Sequence, residues 1–187
     1  MPTLAPMPCC YPENLLEDFT TGPDFAPERK WWAVYTKPRQ EKALARDLAD
    51  KGVPMFLPLV AKQSLVRGRR VRSEFPLFTS YIFAFCDAQE RIVTLDTKRV
   101  VQMVAATDQA AMTQDLRNIH SLVAAGAPLT VEARLQPGQR VRVKNGALKG
   151  VEGIIVSRRG EDRLVVAVEF LQQGVSIVIG DYQVEPV

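Results

Sequence analysis

A dense cluster of arginines is the strongest chemical feature of the sequence. Four arginines fall within residues 67–72, namely Arg67, Arg69, Arg70 and Arg72. Like charges at this density repel one another unless a polyanion lies nearby, and guanidinium groups bind phosphate oxygens as planar forks. The cluster therefore indicates contact with nucleic-acid phosphates. The alternative is a solvated loop whose charges pair with carboxylates such as Glu74 or Asp87.

A second basic patch can be assembled from two separate stretches. Lys37, Arg39 and Lys42 lie where a predicted strand meets a predicted helix, and Lys98 and Arg99 lie in a later loop. If these loops share one end of a sheet, their charges combine into a site for nucleic acid.

Aromatic residues recur along two predicted strands and admit two interpretations. Phe78, Tyr81, Phe83 and Phe85 belong to one strand, and Trp31, Trp32 and Tyr35 belong to the other. Alternating aromatics on a central strand are usually core. An exposed aromatic cluster would instead be a protein-docking site. The pattern alone leaves both readings open.

Signatures of enzymes and metal sites are absent from the sequence. It has no Walker A motif, no Cys-x-x-Cys and a single histidine, His120, so we expect no catalysis, no metal and no cofactor. The three cysteines, Cys9, Cys10 and Cys86, do not suit a disulfide scaffold and favour the cytoplasm. The apolar runs are too short to span a bilayer. The first basic residue is Arg29 and no long apolar stretch precedes it, so we expect no secretory signal.

Hydrophobic periodicity and turn residues predict an α+β domain with an antiparallel sheet and flanking helices. Thr113 is the expected N-cap of the second helix, and Gly52 ends the first. In chain order we expect a strand, a helix, a strand, a basic hairpin loop, a strand and a helix, at 31–35, 40–51, 53–60, 62–72, 77–85 and 113–126.

Composition divides the 187 residues into a tail and two domains. Residues 1–28 are acidic and proline-rich and bury too little apolar surface, which predicts a disordered tail. The α+β domain then covers 29–126, and 127–135 is a linker containing Pro128. Residues 136–187 read as short strands separated by turns, typical of a small all-β barrel.

These stretches resemble a known family. Trp32–Lys42, Phe56–Leu59 and Pro76–Phe83 are similar to the N-terminal domain of NusG-type transcription elongation factors. Pro137–Gly153 resembles a KOW motif, with motif residues at Gly146, Lys149, Gly150 and Gly153. The segments 65–70 and 125–129 are closer to the specialised RfaH and UpxY paralogues than to general NusG factors. One departure is Thr79-Ser80-Tyr81, which stands where the family usually has Pro-Gly-Tyr.

The resemblance implies a transcription elongation and antitermination factor that binds the clamp of bacterial RNA polymerase and suppresses pausing or termination at particular operons. The implied polymerase-docking residues are Tyr35, Phe78, Tyr81 and Phe83. Residues expected at the non-template DNA strand are Lys37, Arg39, Gln40, Arg67, Arg69, Arg70, Arg72, Lys98 and Arg99.

Further expectations concern the partners and the alternatives. The KOW barrel in this family meets ribosomal protein S10 or Rho, and we expect a monomer without membrane contact. A general NusG-like factor and a KOW-type RNA- or ribosome-binding protein are the alternative functions. The strand formers in residues 164–170 predict that the barrel is stable rather than convertible to helices.

Overall fold

A computed structural model describes Met7 and residues 9–17, 27–132, 138–158, 160–180 and 182–187. The chain divides into two compact units, Met1–Ala106 and Thr107–Val187. Within the described ranges, no helix is long and apolar enough to cross a membrane.

The N-terminal unit is an antiparallel sheet with two helices and a separate hairpin. Its sheet has the strand order β1-β3-β6-β2-β7, while β4 and β5 pair only with each other. The elements are β1 Cys10–Tyr11, β2 Lys30–Thr36, α1 Glu41–Asp50, β3 Met55–Phe56, β4 Leu59–Val66, β5 Arg69–Pro76, β6 Tyr81–Cys86, α2 Ala88–Asp96 and β7 Val100–Ala105. The predicted α+β class with an antiparallel sheet is confirmed for this unit.

Helix α1 forms where the leucine spacing predicts it. Leu44 and Leu48 lie one helical turn apart and are fully buried against Val34 and Ile82 of the sheet. The helix ends before Gly52, whose φ of 72° is the left-handed conformation that glycine adopts at low cost.

Helix α2 is missing from the sequence-based prediction. Its start is fixed by a capping box: Asp87 accepts a hydrogen bond from the backbone N–H of Glu90, and Glu90 accepts one from the N–H of Asp87. The apolar periodicity of residues 91–104 does not reveal this helix, because α2 buries only a narrow stripe that includes Thr94.

The predicted basic loop at 62–72 is a two-stranded hairpin. Strands β4 and β5 run the full length of this stretch, and only Arg67 and Gly68 form the turn. Both turn residues have positive φ, 49° and 77°, as a tight hairpin turn requires.

The described part of the N-terminal tail is ordered, which differs from the expected disorder of residues 1–28. Strand β1 pairs with β3, and the following turn buries Leu15 and Leu16 completely. Local composition does not predict this ordered structure, because β3, the strand with which β1 pairs, lies more than 40 residues away along the sequence. Residues 1–6, 8 and 18–26 lie outside the described residues.

The C-terminal unit contains a helix and a six-stranded antiparallel sheet. The strand order is β13-β9-β10-β11-β12-β8, so the sheet is open over the described residues and the closed KOW barrel stays a prediction. The elements are α3 Gln109–Ala124, β8 Thr130–Glu132, β9 Gln139–Val143, β10 Glu152–Arg158, β11 Glu161–Val168, β12 Gln173–Val178 and β13 Val184–Pro186.

Helix α3 begins earlier than predicted and belongs with the C-terminal strands. Its N-cap is Asp108, which accepts from the N–H of Ala111 at 2.9 Å, whereas Thr113 lies inside the helix. The helix packs on β11 and belongs to the unit that begins at Thr107. We expected this helix in the domain 29–126, with a boundary at 127–135. Sequence periodicity finds the helix but does not reveal which sheet its apolar stripe contacts.

Candidate aromatic and basic interfaces

One face of the N-terminal sheet is aromatic. In an antiparallel pair, directly opposed residues point to the same side of the sheet, and the observed register opposes Tyr35 to Tyr81 and Phe56 to Phe83. The other side carries Val34 and Ile82 and receives α1. We call the first side the aromatic face; its large residues are Trp31, Tyr35, Phe56, Tyr81, Phe83 and Phe85.

The rings on this face pack in pairs. Their centroids are 5.3 Å apart for Tyr35 and Tyr81, and 6.4 Å apart for Phe56 and Phe83. Phe78, from the loop before β6, meets Phe83 edge to face at 6.1 Å. These are favourable geometries for aromatic pairs.

Burial separates the four predicted docking residues into two groups. Phe78 and Phe83 are 1% and 0% exposed and are part of the core. Tyr35 is 41% exposed, and Tyr81 is partly buried beside it. The two tyrosines are therefore accessible to a partner in this conformation, whereas the two phenylalanines are not.

The two predicted basic loops meet at one end of the sheet. The N–H of Lys37 donates to the carbonyl of Arg99 at 2.9 Å. The guanidinium of Arg99 also contacts the carboxylate of Asp47 at 2.7 Å and the side-chain oxygen of Gln40. The structure thus joins Lys37, Gln40 and Arg99, with Lys98 in the same loop. We call this group the basic loops.

Two residues of these loops hold a strained backbone conformation. Arg39 and Lys98 have φ values of 61° and 59°, in the left-handed region that non-glycine residues seldom adopt. Such conformations persist where the surrounding structure enforces them, and they cluster at functional sites.

A serine keeps the loop before β6 in a glycine-like shape. Ser80 has a φ of 63°, and its N–H donates to the buried Glu41 carboxylate at 2.7 Å. Its carbonyl accepts from the N–H of Thr36 at 2.8 Å. The replacement of the family's usual glycine is therefore accommodated by a left-handed serine held from both sides.

The hairpin register places its arginines on opposite faces. Arg69 opposes Val66, whereas Arg70 and Arg72 oppose Leu65 and Gln63, one residue out of phase. With a side-chain period of two, Arg70 and Arg72 share one face and Arg69 lies on the other. Arg67 is in the turn between the strands. The arginines are exposed, but they do not form one continuous patch.

The face of the hairpin that carries Arg69 also carries two residues that sequence reasoning missed. Lys62 lies 5.7 Å from the centroid of the Phe75 ring, and that ring is 46% exposed. The pair was detectable only from the alternation along residues 59–66 and 69–76 once both are read as strands. An exposed aromatic beside a lysine suits the stacking of an unpaired base.

An open cleft of about 470 Å³ lies at the base of the hairpin. Lys42 reaches across and donates to the carbonyl of Glu74 at 2.6 Å. The cleft is lined by three basic, two acidic and three uncharged residues: Arg39, Glu41, Lys42, Lys62, Glu74, Phe75, Pro76 and Thr79.

The glycines of the predicted KOW motif are required for different reasons. A Cβ on Gly153 would lie 2.5 Å from the carbonyl oxygen of Val165, so that position has no room for a side chain. Gly150 has open space around it and a φ of 88°, a conformation that residues with a side chain seldom adopt. Its requirement is conformational. Gly146 combines a φ of 73° with a close approach of Tyr182, and Lys149 is exposed.

Among the described residues of the C-terminal unit, Asp115 is a carboxyl group with a perturbed proton affinity. Burial raises the pKa of Asp115 on α3 to about 6, and the hydrogen bond from the N–H of Glu169 opposes that rise.

The comparison with protein families identifies the chain. A family model described as "Transcription termination factor nusG" matches residues 29–132, more than half of the chain. The match defines the class of protein as a transcription factor. The chain belongs to the NusG family, whose members act in transcription elongation and termination.

Two solved structures are similar to this chain. One is of Thermotoga maritima NusG and concerns domain interaction; it is 18% identical, covers 85% of this chain and 97% of its own, and has a TM-score of 0.47. The other is the MjSpt4:Spt5 complex in conformation B, at 14% identity, 84% and 97% coverage and a TM-score of 0.27. At these scores neither similarity adds to the family assignment.

Proposed function

We propose that this protein is a specialised antitermination factor of the RfaH and UpxY kind, which binds the clamp of bacterial RNA polymerase and suppresses pausing or termination at particular operons. The observation that carries the proposal is the placement of an exposed aromatic pair next to the basic loops. Tyr35 lies two residues before Lys37, and Tyr81 follows the serine that binds Thr36. One end of the sheet thus presents both an apolar anchor and positive charge.

The aromatic pair provides the contact with polymerase. Tyrosine combines a large apolar area with few rotatable bonds, and for this reason it is enriched among residues that dominate binding energy. Tyr35 and Tyr81 are already packed against each other at 5.3 Å, so little side-chain freedom is lost when a partner covers them.

The basic loops and the base of the hairpin provide the contact with the non-template DNA strand. Lys37, Arg39 and Arg99 supply charge for the phosphates, which gives affinity without sequence preference. Phe75 and Lys62 extend this surface and add a ring on which an unpaired base can stack. Arg69 extends the same hairpin face toward the tip.

Because one rigid domain makes two weak contacts, the protein suppresses pausing or termination by binding alone, without catalytic turnover. Once the tyrosines hold polymerase, the exposed DNA strand is present at a high effective concentration, and each contact strengthens the other. The C-terminal unit, a KOW barrel in this proposal, engages ribosomal protein S10 or Rho. The protein acts as a monomer.

Operon specificity follows from the hairpin. A general elongation factor needs only phosphate contacts, whereas a specific factor must distinguish bases. The segment 65–70, through its similarity to the specialised paralogues, favours the specific factor, whereas stacking on the exposed Phe75 ring adds affinity without distinguishing bases. A general NusG-like factor remains the alternative, and it differs in showing no preference among exposed DNA strands.

The test is capture of bacterial RNA polymerase core by the full-length protein, with a parallel capture of RNA alone. We expect the wild type to retain polymerase, and the Tyr35→Ala/Tyr81→Ala variant to lose at least tenfold in affinity. Ile92→Ala is the matched control, because Ile92 is an exposed apolar residue on α2 rather than on the aromatic face.

Three outcomes separate the candidates. Loss of polymerase with the tyrosine variant and not with Ile92→Ala supports the proposal. Capture of RNA without polymerase transfers the function to the C-terminal unit. Equal antitermination on templates with different non-template strands favours the general factor.

A further inference from the structure

We propose that residues 10–16, here called the N-terminal segment, form an autoinhibitory element that covers part of the aromatic face and must be displaced before polymerase can engage its phenylalanines. The proposal rests on the proposed docking function of this face. It concerns a part of the chain that precedes the residues matched by the NusG family model.

The strand register places the N-terminal segment on the aromatic side of the sheet. Cys10 is directly opposed to Phe56, and Phe56 in turn is opposed to Phe83. Opposed residues point to the same side, so the Cys10 side chain lies on the aromatic face. Tyr11 is opposed to Met55 and therefore points to the other side, where it packs with the α1 core.

The turn after β1 folds back over Cys10. The N–H groups of Leu15 and Leu16 lie against the Cys10 sulfur, and the N–H of Leu15 also donates to the Pro12 carbonyl at 3.0 Å. Both leucines are fully buried. Because the Cys10 side chain is on the same side of the sheet as Phe56, the turn that holds its sulfur lies on that side too.

The aromatic face is buried beside β1, and burial also extends along β2, where Trp31 is 0% and Ala33 3% exposed. Phe56 and Phe83, on the strands nearest β1, are 1% and 0% exposed. Tyr35 and Val104, on the strands farthest from β1, are 41% and 40% exposed. The proposed docking face is therefore accessible at Tyr35 and Val104 and covered beside β1, where the N-terminal segment pairs with the sheet.

The connection of the N-terminal segment to the sheet is short enough to open on its own. Strand β1 has two residues, and the N–H of Leu57 donates to the Cys9 carbonyl at 2.6 Å next to it. Edge elements with few ladder bonds open locally without global unfolding. A partner that binds only the open form has an apparent affinity reduced by the fraction of molecules that are open.

The test compares two full-length double variants. Leu15→Ala/Leu16→Ala removes the buried anchors, and Glu13→Ala/Asn14→Ala changes two exposed residues of the same turn. Hydrogen exchange of the Leu57 amide reports opening without any partner. Binding to bacterial RNA polymerase core reports the consequence.

We expect the leucine variant to exchange the Leu57 amide at least tenfold faster and to bind polymerase at least tenfold more tightly than the wild type. The control variant should match the wild type in both measurements. Faster exchange with unchanged polymerase affinity would overturn the autoinhibition and leave the docking proposal standing. If neither protein binds polymerase, the docking function itself fails, and the inference fails with it.

A second variant guards against a folding defect. Leu16→Ala alone removes one anchor and should give an intermediate increase in both exchange rate and affinity. A graded response supports a local opening equilibrium. Faster exchange throughout residues 30–105 would show that the leucines stabilise the whole unit, which would also overturn the proposal.

Discussion

Replacement of Phe83 or Tyr35 by alanine should separate the core function of the aromatic face from its proposed docking function. Phe83 is fully buried between Phe56 and Phe78, so Phe83→Ala removes two aromatic contacts and leaves a cavity. Substitutions of this type cost about 3–5 kcal/mol. Tyr35 is 41% exposed and loses only part of its packing, which predicts a cost of about 1 kcal/mol.

Urea unfolding followed by tryptophan fluorescence measures these costs for the N-terminal unit alone. The chain has two tryptophans, Trp31 and Trp32, and both lie on β2. Trp31 is fully buried with its ring 5.0 Å from that of Phe85, so unfolding of the sheet changes its environment. With a urea dependence of about 1–3 kcal/mol per molar, Phe83→Ala should lower the midpoint by roughly 2 M.

For polymerase binding we expect the exposed tyrosine to be important although it contributes little to stability. Tyr35→Ala should weaken binding about tenfold with the fold intact, as expected for a partly exposed anchor. The reasoning would be refuted if Phe83→Ala cost less than about 1 kcal/mol. It would also be refuted if Tyr35→Ala unfolded the domain, because the exposed tyrosine would then be core.

Four further substitutions test other parts of the structure. Ser80→Gly should stabilise the N-terminal unit by about 1 kcal/mol, because glycine adopts the φ of 63° without strain. Glu41→Ala should cost about 1–3 kcal/mol, because it leaves the buried N–H of Ser80 without its acceptor. Urea unfolding measures both effects. Arg99→Ala should weaken recruitment to paused polymerase complexes and reduce the salt dependence of binding; equal recruitment of variant and wild type at physiological salt would contradict the assigned DNA contact. Because the pKa of Asp115 is raised to about 6, the folded C-terminal unit holds the proton of this carboxyl group more tightly than the unfolded chain does. The stability of the unit therefore falls as pH rises from about 4 to 6. Asp115→Asn should abolish this pH dependence and stabilise the unit at pH 7 by at most about 3 kcal/mol, measured by chemical unfolding across pH.

Local sequence signals predicted the elements that depend on near neighbours. Helix α1 follows from leucines four residues apart and ends at Gly52 as expected. The start of α3 was placed at Thr113 instead of Asp108, because both residue types cap helices and only the hydrogen bond to Ala111 distinguishes them. Helix α2 was overlooked although its Asp87-to-Glu90 capping box is a local signal.

The candidate site was predicted as a set of residues but not as a geometry. The sequence named both basic loops, and the hydrogen bond from Lys37 to Arg99 shows that they meet. The arginines of the hairpin were expected to act together, yet the strand register divides Arg69 from Arg70 and Arg72. The composition of a strand does not show which side chains share a face with those of its neighbour until the partner strand and its register are known.

The sequence by itself determined the family, the antiparallel α+β character of the N-terminal unit and the residue types available for docking and for phosphate contact. These follow from motifs and from periodicities of two and 3.6 residues, which are properties of neighbouring residues. Only the tertiary structure decided that Phe83 is core and Tyr35 is surface, and that Cys10 pairs with Phe56. Burial and edge pairing depend on contacts between residues far apart in the chain, and a local pattern contains no record of those contacts.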